Sequence, residues 1–342
     1  MNSATLAVYV HNIDPYIFTI FGVGPRWYGM SYLLGFLIGG LLIYRVTRVG
    51  VSTLEPAKVL DLVVTLALGI IIGGRLGYVL FYKPDLLWQF ESAFPFWGVL
   101  AINQGGMASH GGMIGGIAAT WFYACKNHHR WSHLLDLLAF GAPLGLFFGR
   151  IANFINGELY GRACDPGFIL AVKFPTELYD MPAEKMDQVY QTLTPFFAGR
   201  PQGEWIPLAI EQIQHGNVLL TQAVAPLLTP RHPSQLYAAA LEGLVTFAVL
   251  LWFYRKPVKT GTIAGLFCIV YGVVRIAGEF FRMPDAHLIH EEFEQYGVTR
   301  GQWLSILLVL LGVVVMILAQ RRQGPPMGGW MRRRKGELQK SE

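Results

Sequence analysis

Charge is scarce in this chain of 342 residues: lysine, arginine, aspartate and glutamate together make up 14% of it, against roughly 25% in a soluble globular domain. With 53% hydrophobic residues and a mean hydropathy of +0.40, that deficit argues against a soluble domain and for a polytopic membrane protein. Cysteine is equally sparse. Cys125, Cys164 and Cys268 show no CxxC spacing and fall in different expected environments, so neither a disulfide framework nor a zinc site is expected. The chain also lacks a P-loop, a GxSxG and an HExxH, which removes support for nucleotide hydrolysis, serine hydrolysis and zinc proteolysis. No basic n-region precedes Phe21, the first basic residue being Arg26, so no cleavable signal peptide is expected. The internal helix repeat usual in secondary transporters is missing as well. No metal or cofactor is expected.

What the chain does have is long apolar runs. Stretches near 20 residues, enough to cross about 30 Å of hydrocarbon, occur at approximately Phe21–Tyr44, Ala57–Phe81, Ser109–Cys125, Leu134–Ile151, Gln235–Tyr254, Gly261–Phe281 and Trp303–Ala319. The expected fold class is therefore all-α and polytopic, with about seven transmembrane helices. Basic residues accumulate on the cytoplasmic side of a membrane. Here they follow the odd-numbered runs, as Arg45, Arg48 and Lys58, then Lys126 and Arg130, then Arg255, Lys256 and Lys259, then Arg321, Arg322 and Arg332 to Lys335; Asp285, Glu291, Glu292 and Glu294 mark an opposite loop. This predicts an N-out, C-in topology, and the net charge of +5 needs no nucleic-acid partner. Eight prolines between about Arg162 and Arg231 interrupt the apolar pattern. The expected division is thus 1–161 for membrane helices one to four, 162–231 for a small extracytoplasmic head packed on the bundle, 232–320 for helices five to seven, and 321–342 for a basic cytoplasmic tail. An amphipathic helix is expected over Ile206 to Leu220.

The chemistry concentrates in Gly149-Arg150-Ile151-Ala152-Asn153-Phe154-Ile155-Asn156-Gly157-Glu158-Leu159-Tyr160-Gly161-Arg162. The run before it, Leu134 to Phe148, holds only Asp136 as a charged residue. It delivers Arg150 at or just below a membrane surface, where an arginine costs about 2.5–3.5 kcal/mol at mid-bilayer and less near the edge. On a continuing helix Arg150 and Asn153 share a face, and Gly157 ends the helix and turns Glu158 back toward them. That outlines a pocket for an anion; the competing explanation is a helix end with snorkelling charges. In the sixth run Tyr271, Arg275 and Glu279 line one face at i, i+4, i+8 with Arg282 a turn later, and intramembrane Arg and Glu almost always pair or face water. Gly69, Gly73 and Gly77, and again Gly141, Gly145 and Gly149, recur every fourth residue, a device for close helix packing around Arg75, Tyr78 and Arg150. His110 is flanked by Gly105-Gly106 and Gly111-Gly112, backbone permissive enough to approach a headgroup. A histidine near a helix start is more often structural, yet it is the side chain best suited to take a proton near neutral pH. Tyr28 and Tyr32 fit an interfacial aromatic belt.

The run from Gly149 to Arg162 closely resembles the signature of the prolipoprotein diacylglyceryl transferases. The likeness extends to Arg26-Trp27-Tyr28-Gly29-Met30, Gly73-Gly74-Arg75-Leu76-Gly77-Tyr78, Gly105-Gly106-Met107-Ala108-Ser109-His110-Gly111-Gly112, His232-Pro233-Ser234-Gln235-Leu236-Tyr237 and Tyr271 through Arg282, in family order. It departs from the family pattern at Ala108-Ser109, where serine and an aromatic are more usual, and at Ala238, where an acid is common. The resemblance implies transfer of the diacylglyceryl group of phosphatidylglycerol to the lipobox cysteine thiol of a preprolipoprotein signal peptide. A thioether forms and glycerol phosphate leaves. It implies a bacterial cytoplasmic (inner) membrane location with the active site toward the outer leaflet. On this reading Arg150 and Arg275 bind phosphate. His110 is the candidate that takes the thiol proton, a carboxylate or the substrate phosphate being the alternatives. Asn153, Glu158 and Glu279 hold headgroup hydroxyls or orient the arginines, and Tyr28, Arg75, Tyr78, Gly161 and Tyr271 form the next ring. The alternative is a phospholipid-binding or transport protein without catalysis.

Overall fold

The computed structural model describes residues 8–20, 24–90, 95–102, 105–283 and 298–331. Phe21, the acidic residues Asp285, Glu291, Glu292 and Glu294, and the tail residues Arg332 to Lys335 lie outside them. The chain folds mainly into helices: α1 (Trp27–Val49), α2 (Val59–Phe81), α3 (Ser109–Lys126), α4 (Trp131–Ile155), α5 (Ala183–Phe197), α6 (Trp205–Gln214), α7 (Val218–Val224), α8 (Ser234–Ala238), α9 (Thr246–Phe253), α10 (Thr262–Glu279) and α11 (Arg300–Arg321). A π-helical turn, Ala239–Val245, joins α8 to α9, making one continuous helical run. Among the described residues six helices are long and apolar enough to cross a membrane: Trp27–Val49, Pro56–Phe81, Trp131–Ile155, Ser234–Phe253, Thr262–Glu279 and Gly301–Arg321. The third expected span is present as α3 but is not among the six, because Ser109, His110 and four glycines dilute its hydropathy. The architecture is that of a polytopic all-α membrane protein.

Two compact units divide the chain. One comprises Phe36–Ala142, Ala248–Ile269 and Leu310–Glu342. It is built on the packing of α2 against α3, where the four-residue glycine spacing lets the backbones touch. A Cβ added at Gly115 would lie 2.0 Å from the Gly69 carbonyl oxygen, and one at Gly73 would lie 2.4 Å from that of Gly111. Asp136, the one acid in its span, is buried and accepts the backbone N–H groups of Gly261 at 2.7 Å and Ala264 at 2.8 Å. It therefore caps the start of α10, a structural use of an intramembrane charge.

The other unit comprises Met1–Gly35, Pro143–Phe247 and Val270–Val309. Within it, Gly35 lets α1 approach α4, a Cβ at Gly35 falling 3.0 Å from the Gly145 Cα. The proline-rich insertion has an apolar core of its own, in which Leu178, Leu193, Phe197, Ile213 and Leu220 are buried. In place of one amphipathic helix over Ile206 to Leu220 there are two, α6 and α7. Gly216 breaks them apart at φ 85°, and the Asn217 side chain accepts the Leu220 N–H at 3.1 Å to start the second. A parallel pair of short strands, β1 (Tyr9–Val10) and β2 (Val172–Lys173), fastens the segment before α1 to this insertion. The segments after α4, before α8 and after α10 are tied through backbone bonds, Gly161 N–H to His232 O at 2.9 Å and Arg162 N–H to Phe281 O at 2.9 Å.

Candidate active site

Arginines on α4 and α10 meet a carboxylate from the π-helical turn. Arg150 donates through Nε to Glu242 Oε2 at 3.0 Å, and its Nη2 lies 2.9 Å from the same oxygen. Arg275 reaches the other oxygen of Glu242 through Nε at 3.7 Å, an ion pair longer than a hydrogen bond, and pairs through Nη1 with Glu279 Oε2 at 2.9 Å. Charge thus alternates along Arg150, Glu242, Arg275 and Glu279. The Glu242 side chain is only 1% exposed, so without that alternation two guanidinium groups would face each other in a poorly screened environment. Its position depends on Gly243, where an added Cβ would fall 2.6 Å from Phe147 Cβ. π-helical turns of this kind are frequent at functional sites.

Tyr271, one turn before Arg275, hydrogen-bonds Arg150. On α1, Tyr28 and Tyr32 lie with ring centroids 5.3 Å apart. The end of α4 behaves as the spacing predicts: Gly157 terminates it at φ 67°, the Glu158 N–H bonds to Asn153 O, and Asn153 Nδ2 donates to Glu158 Oε1 at 2.7 Å. Gln235 Nε2 donates to the Glu158 carbonyl at 2.6 Å and Ser234 Oγ to that of Leu159 at 3.0 Å, so the start of α8 holds this turn in place. The resulting pocket is lined by Arg150, Arg275 and Arg282 together with Glu242, Gln235 and Ala238, among others. Three guanidinium groups in the lining form a donor set that suits a phosphate.

Sequence reasoning misses Glu242, although a signal is there. It is the sole charged residue between Gln235 and Tyr254, and an ionisable residue within a span is a functional candidate by default. It also leaves Arg282 and Gln235 outside the expected site.

Gly161 contributes backbone. A Cβ there would lie 2.5 Å from His232 O and 2.6 Å from Phe281 O, so only glycine lets the three segments close. Arg75, Tyr78 and His110 belong to the other unit. Arg75 is 5% exposed and donates to four carbonyls: Val99 at 2.8 Å, Gly105 at 2.6 Å, Gly106 at 3.1 Å and Gly98 at 2.6 Å. Its guanidinium therefore fastens Gly98 and Val99 together with Gly105 and Gly106. Tyr78 packs its ring on Gly106, whose φ of 82° and lack of a side chain permit the contact. His110 is exposed as the second residue of α3.

His11 braces the turn at Gly157. It is buried between Phe154 and Phe174, with ring centroids at 5.3 and 5.4 Å, and burial pushes its pKa down to about 4. Below the ordinary histidine value near 6.5 the unfolded chain therefore binds a proton that the folded chain refuses. This contribution to stability is complete above about pH 6.5 and is lost at about 1.4 kcal/mol per pH unit as pH falls toward 4. Thermal unfolding in detergent at pH 7.5 and pH 5 is expected to show less acid sensitivity for His11→Phe than for the wild type; equal sensitivity would refute this.

A profile of the family described as prolipoprotein diacylglyceryl transferase matches residues 15–318. The chain is 46% identical to the phosphatidylglycerol–prolipoprotein diacylglyceryl transferase of Bdellovibrio bacteriovorus, over 94% of this chain and 97% of that one. It is 37% identical to the protein of the same name in Idiomarina loihiensis, over 91% and 94% of the two chains, and 39% identical to that of Neisseria gonorrhoeae, over 89% and 95%. The profile match takes in α1 through most of α11, and the similarity to these relatives is nearly end to end, so the chain belongs to the prolipoprotein diacylglyceryl transferase family.

Proposed function

We propose that this protein transfers the diacylglyceryl group of phosphatidylglycerol to the lipobox cysteine thiol of preprolipoproteins, the first step of bacterial lipoprotein maturation. The observation that carries the reading is the pocket lined by Arg150, Arg275 and Arg282, in which the first two pair with the buried Glu242. The substrate sulfur attacks the glyceryl carbon that bears the phosphate. A C–S bond forms, the C–O bond breaks, and its electron pair stays on the departing glycerol phosphate. Planar guanidinium groups stabilise the charge that builds on that oxygen. Glu242 and Glu279 hold the two guanidinium groups in fixed orientations, so little reorganisation is needed as the bond breaks. Asn153 and Glu158, joined to each other, offer polar atoms to headgroup hydroxyls, with Tyr28 and Tyr271 alongside. A thiol of pKa near 8.5 gains reactivity on deprotonation; the acceptor is His110, a carboxylate or the substrate phosphate.

The protein sits in the bacterial inner membrane with seven spans, α3 counted among them, N-out and C-in. Residues 162–231 form the extracytoplasmic head, and the pocket serves the outer leaflet. Phosphatidylglycerol enters sideways between helices, because its acyl chains stay in hydrocarbon, and the signal peptide arrives from the outer leaflet side. Incubating the purified protein with labelled phosphatidylglycerol and a lipobox peptide tests the function, since only a transferase yields lipidated peptide. A lipid-binding protein or transporter would retain or move the lipid unchanged. Cysteines introduced in the head are expected to react with an external, impermeant maleimide; labelling from the cytoplasm alone would overturn the orientation.

A further inference from the structure

Thr299 and Gln302 stand three residues apart at the start of α11, the spacing of a capping box. The bonds of that box are present: Thr299 N–H donates to Gln302 Oε1 at 3.0 Å, and Gln302 N–H to Thr299 Oγ1 at 3.2 Å. A capped helix end would be unremarkable by itself. Here, however, the threonine hydroxyl has a second partner on another helix. Its O–H donates to Glu279 Oε1 at 3.2 Å in a buried contact, while its lone pair takes the Gln302 N–H, so the hydroxyl serves as donor and acceptor at once. Glu279 and Thr299 are 7% and 8% exposed. Gly301 completes the arrangement, since a Cβ there would lie 2.8 Å from Glu279 Oε1. The first turn of α11 thus lies against the carboxylate, where the positive end of the helix dipole favours negative charge. The other oxygen of Glu279 is the one that holds Arg275 Nη1 at 2.9 Å.

We infer that Thr299 is a positioning residue for the transfer reaction: through Glu279 it fixes the orientation in which Arg275 presents its guanidinium edge to the phosphate. This rests on the reading of Arg275 as a phosphate clamp. A carboxylate held by one arginine alone turns about its own side-chain torsions and carries that arginine with it. The hydroxyl and the glycine-lined helix end remove this freedom. A displacement of about 1 Å at a reacting group costs up to about a hundredfold in rate, so a residue that touches no substrate still governs turnover.

The obvious objection is that threonine only caps the helix, and aspartate separates the two roles. Ionised aspartate caps as well as threonine but cannot donate to Glu279 and repels it, and a proton shared between the two carboxyls would remove the charge that holds Arg275. Steady-state kcat and KM for phosphatidylglycerol and a lipobox peptide, with thermal unfolding in the same detergent, are measured on the full chain. Thr299→Ser is expected to stay within about twofold of wild-type kcat, whereas Thr299→Asp and Thr299→Val lose about tenfold or more in kcat with KM little changed. Because Thr299 acts through Glu279, Thr299→Val is expected to add nothing to the loss already caused by Glu279→Gln, a non-additivity that a remote structural role does not produce. Wild-type turnover in Thr299→Asp, or losses from Thr299→Val and Glu279→Gln that multiply, would overturn the inference. Should Thr299→Asp fail to fold, the cycle with Thr299→Val decides. Arg275→Lys separates the two readings: if it is fully active, the phosphate clamp itself fails and this inference with it. If it is inactive while Thr299→Asp works normally, only the positioning role fails.

Discussion

Replacing Arg150 or Arg275 by lysine is expected to remove most of the turnover and leave the thermal unfolding profile nearly unchanged. Lysine keeps the positive charge, so Glu242 and Glu279 still have a partner and the fold retains its charge balance. What is lost is the planar fork. Arg150 already commits Nε and Nη2 to Glu242, and only a guanidinium has further N–H groups, rigidly set in the same plane, to offer a phosphate. An ammonium on a flexible stem must choose between glutamate and phosphate. Loss of one preorganised donor to the leaving group costs about 2.7–4 kcal/mol in the barrier, or roughly a hundred- to a thousandfold in kcat. Near-normal turnover in both lysine variants would defeat the clamp. Poor folding with normal activity per folded molecule would point to ion pairs that serve stability alone.

A second large effect is expected at Glu242, of the opposite character. Glu242→Leu removes the carboxylate between two arginines that are only partly exposed, at 21% and 13%, and leaves Arg150 without its partner. The upper bound of the change is the roughly 3–5 kcal/mol lost when one partner of a fully buried pair is deleted. Both stability and turnover should fall. Glu242→Gln keeps the volume and removes only the charge, which makes the diagnosis sharper. Inorganic phosphate is expected to raise the melting temperature of Glu242→Gln more than that of the wild type, because an anion in the pocket replaces the missing charge. A Glu242→Gln protein with wild-type melting, wild-type turnover and no added phosphate effect would show that the carboxylate does not organise the arginines.

The span pattern is legible in the sequence because a long apolar run has few other uses; most of the helices start and end within a few residues of the expected bounds, while α1, Trp27–Val49, lies five to six residues later than the run Phe21–Tyr44. The turn at the end of α4 is legible for a similar reason: Gly157 and Glu158 follow Arg150 and Asn153 at a spacing that permits one geometry. Glu242 is less visible. Its span is otherwise apolar, and the π-helical turn that carries it leaves no mark in the alanines and leucines around it. The capping box at Thr299 is written plainly in the chain, yet its partner Glu279 lies on another helix, and no periodicity connects them. Arg75 shows the converse difficulty. Its place in the span is plain in the sequence, whereas the four backbone carbonyls that it meets lie more than twenty residues away. The proline-rich insertion is legible as an interruption of the apolar pattern, while the division into α6 and α7 depends on the conformation of one glycine.

The π-helical turn has a consequence for how this protein tolerates changes of length. On one side of it, Ser234 and Gln235 are fastened to the carbonyls of Leu159 and Glu158. On the other, Glu242 is held by Arg150 and Gly243 is wedged against Phe147. Between the two anchorages run Leu236, Tyr237, Ala238, Ala239, Ala240 and Leu241. Tyr237 packs on Phe281 and bonds His232 and Ala238 lines the pocket, but Ala239, Ala240 and Leu241 have little chemistry to lose, so point substitutions of similar size at these three should pass almost unnoticed. Deleting or inserting one residue there is different. It would rotate everything beyond by up to about 100°, the angle per residue of a 3.6-residue helix and the upper bound for the wider π turn, and carry the carboxylate off the arginines without altering a single residue of the pocket. What this segment contributes is a count of residues, and indels are the changes that expose it.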